Sequence, residues 1–411
     1  VCQDSIMLTD NKPVRSRSVV AFLLSCIFLS GIIGLSSANV TEYSYQGTDP
    51  CSSIQQLSFD SAAANASITW QTDLGPRLPG SNASAELRNS VVENLTAFNF
   101  EESSHYRENF TLTNLVGTYS PTNSTGQNVV FVAHYDSRYI AERDNNESKR
   151  NQPIDGANDG ASGVAVLIEL GKIIPNLQLN HDVTLFFTDA EDQGITGGFH
   201  PLTWSYGAYA WVENLTEDYK NNISAYIVID MIGDAYLDFT KIKDTSAELW
   251  ETVTPIAAAL GMMESELDCE GNYGRAIYDP TKTRGVIDDH VPANNAGIPA
   301  INFIDINYGE NASSFGGHWH THNDTADKVS AESLGYIGDL LELGLITSAW
   351  ILVPTDLDVN SNTVDQDESV LLQHDNAVED VEKNRLVGYI SIILVSIILV
   401  LILIADISLK L

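Results

Sequence analysis

Short apolar runs alternate along the chain with segments whose apolar residues recur at helical spacing. Continuous apolar runs bounded by polar residues are typical of strands buried on both faces. Such runs occupy residues 128–133, 182–188, 223–229 and 299–304. Helical spacing predicts helices over residues 83–98, 161–174, 245–262 and 330–350. This alternation predicts an α/β fold with a mixed, mainly parallel central sheet sandwiched by helices.

Two longer apolar segments lie near the ends of the chain. Residues 19–35 follow Lys12, Arg15 and Arg17, a pattern typical of a signal anchor or a cleaved signal peptide with a cytoplasmic N-terminus. Residues 387–405 carry no charge and are long enough to cross a bilayer. The sequence therefore predicts terminal transmembrane helices and a membrane-anchored protein whose bulk lies on the extracytoplasmic side.

These segments define the predicted domain organisation. Residues 1–38 would form a cytoplasmic tail with the signal anchor or signal peptide, and residues 39–353 one large catalytic domain. Residues 354–384 are acidic and lack aromatic side chains, which predicts a flexible stalk. Residues 385–411 would contain the C-terminal transmembrane helix.

Charge and cysteine content restrict the partners and the kind of metal site. The formal net charge of −34 argues against nucleic acid as a partner. Of the four cysteines, only Cys51 and Cys269 fall in the predicted catalytic domain. They could form one disulfide, although their spacing does not require it. No Cys-x-x-Cys pair indicates a cysteine-ligated zinc site.

Acidic residues and histidines stand where the predicted strands end. They are His134, Asp159 in a glycine-rich loop, the pair Glu191 and Asp192, Asp230, and His320 in a second glycine-rich loop. Each alone has an ordinary interpretation, such as a helix cap or an acidic turn. The carboxyl ends of strands in an open α/β sheet are, however, where binding sites form. Histidine with carboxylates and no cysteine is a ligand set suited to zinc.

Six motifs carry a resemblance to a known superfamily. They are HYDS at 134–137, GANDGASG at 156–163, DAED at 189–192, DMIG at 230–233, DDH at 288–290 and HWHTHND at 318–324. In this order they resemble the superfamily of co-catalytic zinc aminopeptidases and glutaminyl-peptide cyclotransferases, over roughly residues 70–350. The resemblance implies a zinc exopeptidase-like fold and substrates that are peptide or protein N-termini.

The resemblance also implies the metal ligands, position by position. Asp159, Asp192 and His320 match the ligands of the zinc that both branches share. His134 and Asp230, with Asp159 as a bridge, match the ligands of a second zinc in the aminopeptidases. We therefore expect one zinc if the chain is a cyclase and two if it is an aminopeptidase.

Further roles follow from the same match. Glu191 corresponds to the general acid/base, and Asp288 with Asp230 corresponds to the proton network of the cyclases. Trp204 and Trp319 fall where that branch has aromatic residues near the substrate pocket. Either tryptophan could instead simply pack a loop.

The motifs favour the cyclase branch without deciding it. Trp319 immediately before His320 and the loop that begins at Asp288 look like bacterial members of the animal-type glutaminyl cyclases, although Asn302 replaces a histidine of that family. We predict a membrane-anchored zinc enzyme that converts N-terminal glutamine to pyroglutamate. The alternative is a di-zinc aminopeptidase. A non-catalytic ectodomain is disfavoured because Glu191 is retained.

Overall fold

The structure is a computed structural model that describes residues 43–45, 47–107, 110–195 and 203–354. The apolar segments 19–35 and 387–405 and nearly all of the acidic stalk lie outside these ranges. The predicted transmembrane helices and domain boundaries therefore stay predictions. Within the described ranges, no helix combines the length and the apolarity needed to cross a membrane.

The centre of the fold is a mixed β-sheet. The described strands are β1 (Tyr43–Tyr45), β2 (Asn99–Arg107), β3 (Phe110–Tyr119), β4 (Asn128–His134), β5 (Asp182–Thr188), β6 (Ile223–Asp230), β7 (Phe239–Ile242), β8 (Tyr278–Arg284), β9 (Ala300–Ile304) and β10 (Leu352–Pro354). Six of them form the main sheet in the order β2-β3-β5-β4-β6-β9. The pairs β4/β5, β4/β6 and β6/β9 are parallel, whereas β2/β3 and β3/β5 are antiparallel. The predicted mixed sheet is confirmed.

Helices cover both faces of this sheet. They are α1 (Ser61–Asp73), α2 (Asn82–Asn94), α3 (Ala161–Ile173), α4 (Tyr206–Asn214), α5 (Glu217–Asn222), α6 (Ala247–Ala259), α7 (His290–Asn295) and α8 (Ala331–Ile346). Short 3₁₀ turns occur at Pro50–Ser52, Ile54–Gln56, Glu147–Lys149, Ile174–Asn176 and Ala326–Lys328. Because side chains alternate along a strand, Val129 and Phe131 of β4 face the larger core with α3 and α8, whereas Val130 and Val132 face a smaller core with α4 and α7.

The polar edge of the sheet was not predicted from the sequence. Strand β2 has the sequence NFEESSHYR, and none of its residues is fully buried. An edge strand with one solvated face needs little apolar sequence, so it lacks the continuous apolar run that identified the central strands. Helix α2 also differs from its prediction, because it ends at Asn94 while Leu95 and Phe98 are buried in the turn that follows.

A buried carboxylate and a disulfide help to attach the segment before α1 to the rest of the domain. The carboxylate of Glu342, buried in α8, accepts hydrogen bonds from the backbone N–H groups of Ser58 and Phe59. Cys51 forms a disulfide with Cys269, which lies 218 positions later in the sequence. The pairing that the sequence left open is therefore present. Such bonds persist in oxidising compartments.

We expect the disulfide to contribute to stability by restricting the unfolded chain. The double variant Cys51→Ser/Cys269→Ser should lower the free energy of unfolding by roughly 2–4 kcal/mol, measured by urea denaturation. Dithiothreitol should destabilise the unmodified chain similarly and leave the double variant unchanged. An unchanged urea midpoint after complete reduction, verified by thiol labelling, would contradict this expectation.

Candidate metal centre

The carboxyl ends of the parallel strands bring the predicted residues to one edge of the sheet. His134 ends β4 and Asp230 ends β6, whereas Glu191 and Asp192 follow β5 in a short loop. Asp159 lies in the loop that leads into α3. These strands are neighbours in the order β5-β4-β6, so side chains far apart in sequence meet at this edge.

Asp159 belongs to two groups of three possible metal ligands. Nε2 of His134 is 3.4 Å from Oδ1 of Asp159 and 3.1 Å from Oδ1 of Asp230. Nε2 of His320 is 3.6 Å from Oδ2 of Asp159 and 3.1 Å from Oδ1 of Asp192. Within each group of three, the ligand atoms lie within 4.8 Å of one another. The two carboxylate oxygens of Asp159 thus face two different histidines, the arrangement expected of a residue that bridges two metals.

The donor atoms fit a zinc ion. Oδ2 of Asp159 and Oδ2 of Asp192 are buried and have no hydrogen-bond partner among the described residues. Unpaired buried carboxylate oxygens are costly, and a cation between them would satisfy both. Two carboxylates with one imidazole leave a fourth position open, as catalytic zinc sites do.

The charge balance of the site also favours a cation. Burial and the charge of Asp192 raise the pKa of Asp159. Burial disfavours a charged His134, but the carboxylates led by Asp230 outweigh it and hold the pKa of this histidine well above its usual value. Burial also disfavours a charged His320, but Asp192 and other carboxylates outweigh it and raise the pKa of this histidine to about 9. Buried carboxylates this close together favour the binding of protons, or of a metal ion in place of the protons.

Two further carboxylates orient the histidines and the ligand loop. Nδ1 of His320 is 2.9 Å from Oε1 of Glu142, which leaves Nε2 facing Asp192. Although burial opposes the charged form of Glu142, His320 and Arg138 lower the pKa of this carboxyl to about 2. Asp136 accepts hydrogen bonds from the backbone N–H groups of Glu191 and Asp192, at 3.0 and 3.1 Å. Such partners fix the orientation of metal ligands.

The backbone of the site is locally strained. Ala190, Ser205, Met231 and His320 have left-handed φ angles between 49° and 59°. Non-glycine residues rarely adopt this conformation, and it clusters at functional sites. Gly160, at φ 100°, precedes α3, and a Cβ there would lie 2.7 Å from the carbonyl oxygen of Asp136. This position therefore requires glycine.

A cavity of about 570 Å³ opens onto the metal ligands. Its lining includes Asp159, Glu191, Asp192, Asp230, Asp288, Trp204 and Trp319. It does not include His134 and His320, whose buried rings lie beside these carboxylates. The remaining lining is mostly apolar, and a pocket of this size and character is typical of a small-ligand site.

Glu191 and Asp288 are buried carboxyl groups on the wall of this cavity. Burial, and then the charge of Asp288, raises the pKa of Glu191 well above its usual value. Burial and the charge of Asp230 likewise raise the pKa of Asp288 well above its usual value. Nδ2 of Asn302 donates a hydrogen bond of 2.6 Å to Oδ2 of Asp288. Asn302, noted in the sequence as a replacement of the family's histidine, thus holds Asp288.

The two tryptophans line the cavity and also contact a ligand ring. The Trp319 ring stacks on His320 with centroids 3.5 Å apart, and the Trp204 ring lies near-parallel to His320 at 6.4 Å. The guanidinium of Arg143 lies over Trp319, and that of Arg138 lies over Trp204. Trp319 therefore does more than fill a loop, because it packs against the imidazole, and both rings shape the cavity beside it.

Comparison with known proteins identifies the family. The family model for Peptidase family M28 matches residues 114–343, which is more than half of the chain. The chain belongs to peptidase family M28. This confirms the superfamily that the sequence motifs indicated.

The chain is also similar to individual M28-like proteins. Aminopeptidase YwaD of Bacillus subtilis is 26% identical over 240 residues, covering 57% of this chain and 44% of that protein. The glutaminyl cyclase of Porphyromonas gingivalis is 28% identical, with a TM-score of 0.60 and coverage of 69% of this chain and 96% of that structure. A leucine aminopeptidase precursor from Bacteroides thetaiotaomicron is 25% identical, with a TM-score of 0.59 and coverage of 71% and 98%.

The curated relatives and the solved structures agree on the fold and differ in activity. The match to the Bacillus protein covers less than half of its length, as does the match to a probable zinc metalloprotease of Pyrenophora tritici-repentis. The solved structures include both a cyclase and an aminopeptidase. The zinc-enzyme superfamily is thus established for this M28 chain, whereas its reaction needs a separate argument.

Several residues that support this M28 site were not assigned roles from the sequence. Asp136 and Asp324 stand within the HYDS and HWHTHND motifs, so a signal was present. Asp324 accepts hydrogen bonds from the N–H groups of Asn158 and Asp159. Glu142 lies in a charged loop, 178 positions before His320, and nothing in the sequence distinguishes it from its neighbours.

Arg77 connects two of the ligand-bearing segments. This arginine is fully buried and donates hydrogen bonds to the carbonyl oxygens of Tyr135, Asp155 and Gly156, at 2.9, 2.6 and 2.7 Å. It therefore links the end of β4 to the loop that carries Asp159. Burial lowers the pKa of Arg77 to about 10, so the guanidinium stays charged at neutral pH.

We expect loss of the guanidinium fork to weaken the metal site. Arg77→Lys keeps the charge but cannot reach all three carbonyl oxygens, so zinc affinity should fall roughly 10- to 100-fold in a chelator competition assay. Arg107→Lys is the matched control, because Arg107 pairs with Glu213 on the surface. A folded Arg77→Lys variant that binds zinc as tightly as the unmodified chain would show that Arg77 does not position the ligands.

Proposed function

We propose that this M28 chain is a zinc-dependent glutaminyl-peptide cyclotransferase, which converts N-terminal glutamine of peptides to pyroglutamate. The observation that carries the proposal is the pairing of Glu191 with Asp288 on the wall of the cavity beside the metal ligands. Both carboxyl groups are held towards their neutral forms by burial and by neighbouring charge. Such groups are suited to moving protons near neutral pH.

The reaction needs proton transfer but no water. The α-amine nitrogen of glutamine forms a bond with its side-chain amide carbon, and the amide nitrogen leaves as ammonia. Ionised Glu191 takes the proton from the attacking amine and returns it to the leaving nitrogen, and the raised pKa of this carboxyl strengthens it as a base. Asp288, held by Asn302, lines the same cavity, and its charge adds to burial in raising the pKa of Glu191. The tryptophans beside the ligands form an apolar wall that limits the entry of water.

Asp159, Asp192 and His320 would hold the zinc that this reaction requires. A bound zinc ion polarises the amide carbonyl as a Lewis acid. Glu142 and Arg138 fix two of these ligands, since Glu142 contacts His320 and Arg138 donates to the carbonyl oxygen of Asp192 at 2.8 Å. The residues of this chain thus supply both the metal site and the proton path.

One observation favours a second candidate, a di-zinc aminopeptidase. His134, Asp159 and Asp230 form a second group of three buried ligands that shares Asp159 with the first. A second zinc there would provide a site for a water nucleophile, which hydrolysis needs and cyclisation does not. Metal content and reaction products therefore separate the two candidates.

We expect the purified full chain, in detergent, to release ammonia from a Gln-Ala-Ala peptide and to lower its mass by that amount. The matched Leu-Ala-Ala peptide should remain intact, because it has no side-chain amide to attack. Mass spectrometry reads both products, and elemental analysis should find one zinc per chain. Release of free leucine by a chain with two tightly bound zincs would establish the aminopeptidase instead.

Glu191→Gln tests the acid/base assignment within the same assay. Because the variant cannot transfer the proton, kcat should fall roughly 10²- to 10⁴-fold while zinc content is unchanged. Glu93→Gln, on the exposed face of α2, is the matched control. Full activity of Glu191→Gln would remove Glu191 from the mechanism.

We also propose that the chain is membrane-anchored with its catalytic domain on the extracytoplasmic side. The apolar segments at 19–35 and 387–405 support the anchoring, and the Cys51–Cys269 disulfide agrees with an oxidising exterior. Alkaline carbonate extraction of host membranes should leave the chain in the pellet. Its recovery in the supernatant would contradict the proposal.

A further inference from the structure

A second cavity adjoins the cavity of the metal centre. It has a volume of about 440 Å³ and shares Asp244 and Asn294 with the first cavity. No residue of either group of metal ligands lines this second cavity. The two cavities therefore adjoin at Asp244 and Asn294, and we call the pair the groove. Their linings extend from the metal ligands through the last turn of α7 to the loop before α6.

This groove offers a path for the part of a peptide that follows its first residue. If the proposed function holds, the N-terminal residue lies against Glu191 and the metal ligands, so the rest of the peptide must leave the first cavity. Nδ2 of Asn294, at the junction of the cavities, is buried without a hydrogen-bond partner in the described part of the chain. A small rotation of this side chain would offer the amide to a peptide carbonyl.

The second cavity has an acidic lining. Lys243 lines only the first cavity. Asp244 and Glu248 line the second, and its lining contains no Lys, Arg or His. A positively charged substrate side chain in the second cavity would be attracted by these two carboxylates. Uncharged and acidic side chains gain no such attraction.

We infer that the second cavity is a subsite for a lysine or arginine side chain of the peptide, downstream of its N-terminal residue. The inference rests on the proposed action on peptide N-termini, but not on which bond is broken. It makes Asp244 and Glu248 specificity-determining residues. Their effect must be separated from the long-range attraction of a chain with net charge −34 for any basic peptide.

A positional scan tests the subsite. Five-residue peptide amides begin with Gln and carry one Lys at position 2, 3, 4 or 5 among alanines, and the matched set carries Met in place of Lys. For the full chain in detergent, kcat/KM should favour Lys over Met by roughly 5- to 10-fold at one inner position and by less than about 2-fold elsewhere, as two partly exposed ion pairs would give. An equal preference at every position would overturn the inference, because it would reflect overall charge alone.

Two double variants complete the test. Asp244→Asn/Glu248→Gln should abolish the preference for Lys over Met at that one position. Asn tolerates the left-handed φ of 58° at position 244. Glu86→Gln/Glu93→Gln on α2 removes the same charge away from the groove and should retain the preference. If the first variant keeps this positional preference for Lys, or if the second variant loses it, the inference is overturned.

A binding measurement distinguishes failure of the subsite from failure of the proposed reaction. Calorimetric titration of Glu191→Gln with the same peptides needs no turnover, and it should show the same positional preference in Kd. If the peptides are not cyclised but this preference is present, the subsite stands and the cyclase assignment fails. If the peptides are cyclised without a preference in either assay, the subsite fails and the cyclase assignment stands.

Discussion

The described structure depends on the concentration of buried carboxylates around Asp159. Its two oxygens face His134 and His320, and each histidine also contacts a second carboxylate, Asp230 or Asp192. Like charges this close are unstable in a buried site unless protons or a metal ion compensate them. The unpaired oxygens of Asp159 and Asp192 mark where that compensation belongs. The charge balance of this site therefore fits a metal ion such as zinc.

Holding such a site together requires rigid connections between its loops. Arg77 joins the end of β4 to the loop of Asp159, and Asp136 holds the backbone that carries Glu191 and Asp192. Asp324 holds the Asp159 loop from the segment that also carries His320. In each contact a charged side chain forms a hydrogen bond with a backbone group. Such charge-assisted hydrogen bonds are stronger than those between neutral partners. They keep the ligands in place although the ligands come from separate strand ends and loops.

The two candidate reactions differ in whether one ligand group holds a metal. In the aminopeptidase candidate, His134 and Asp230 would act as metal ligands. In the cyclase candidate, Asp230 would remain a buried carboxyl group, and burial together with the charge of Asp230 raises the pKa of Asp288. The proposed subsite at Asp244 and Glu248 is compatible with either reaction, because it would contact the rest of the peptide. In these proposals, reaction type and peptide selectivity depend on different residues of this M28 chain.

The sequence alone determined the central strands and the candidate ligands. Strands buried on both faces must be continuously apolar, so β4, β5, β6 and β9 were visible as short apolar runs, and the polar residues at their ends were visible by contrast. The half-exposed strand β2 and the outer partners Glu142 and Arg77 carry no such local signal, because their roles depend on contacts with residues far away in sequence. Only the tertiary structure could pair Cys51 with Cys269, orient both oxygens of Asp159 and join the two cavities at Asn294, since each requires distances between separate elements.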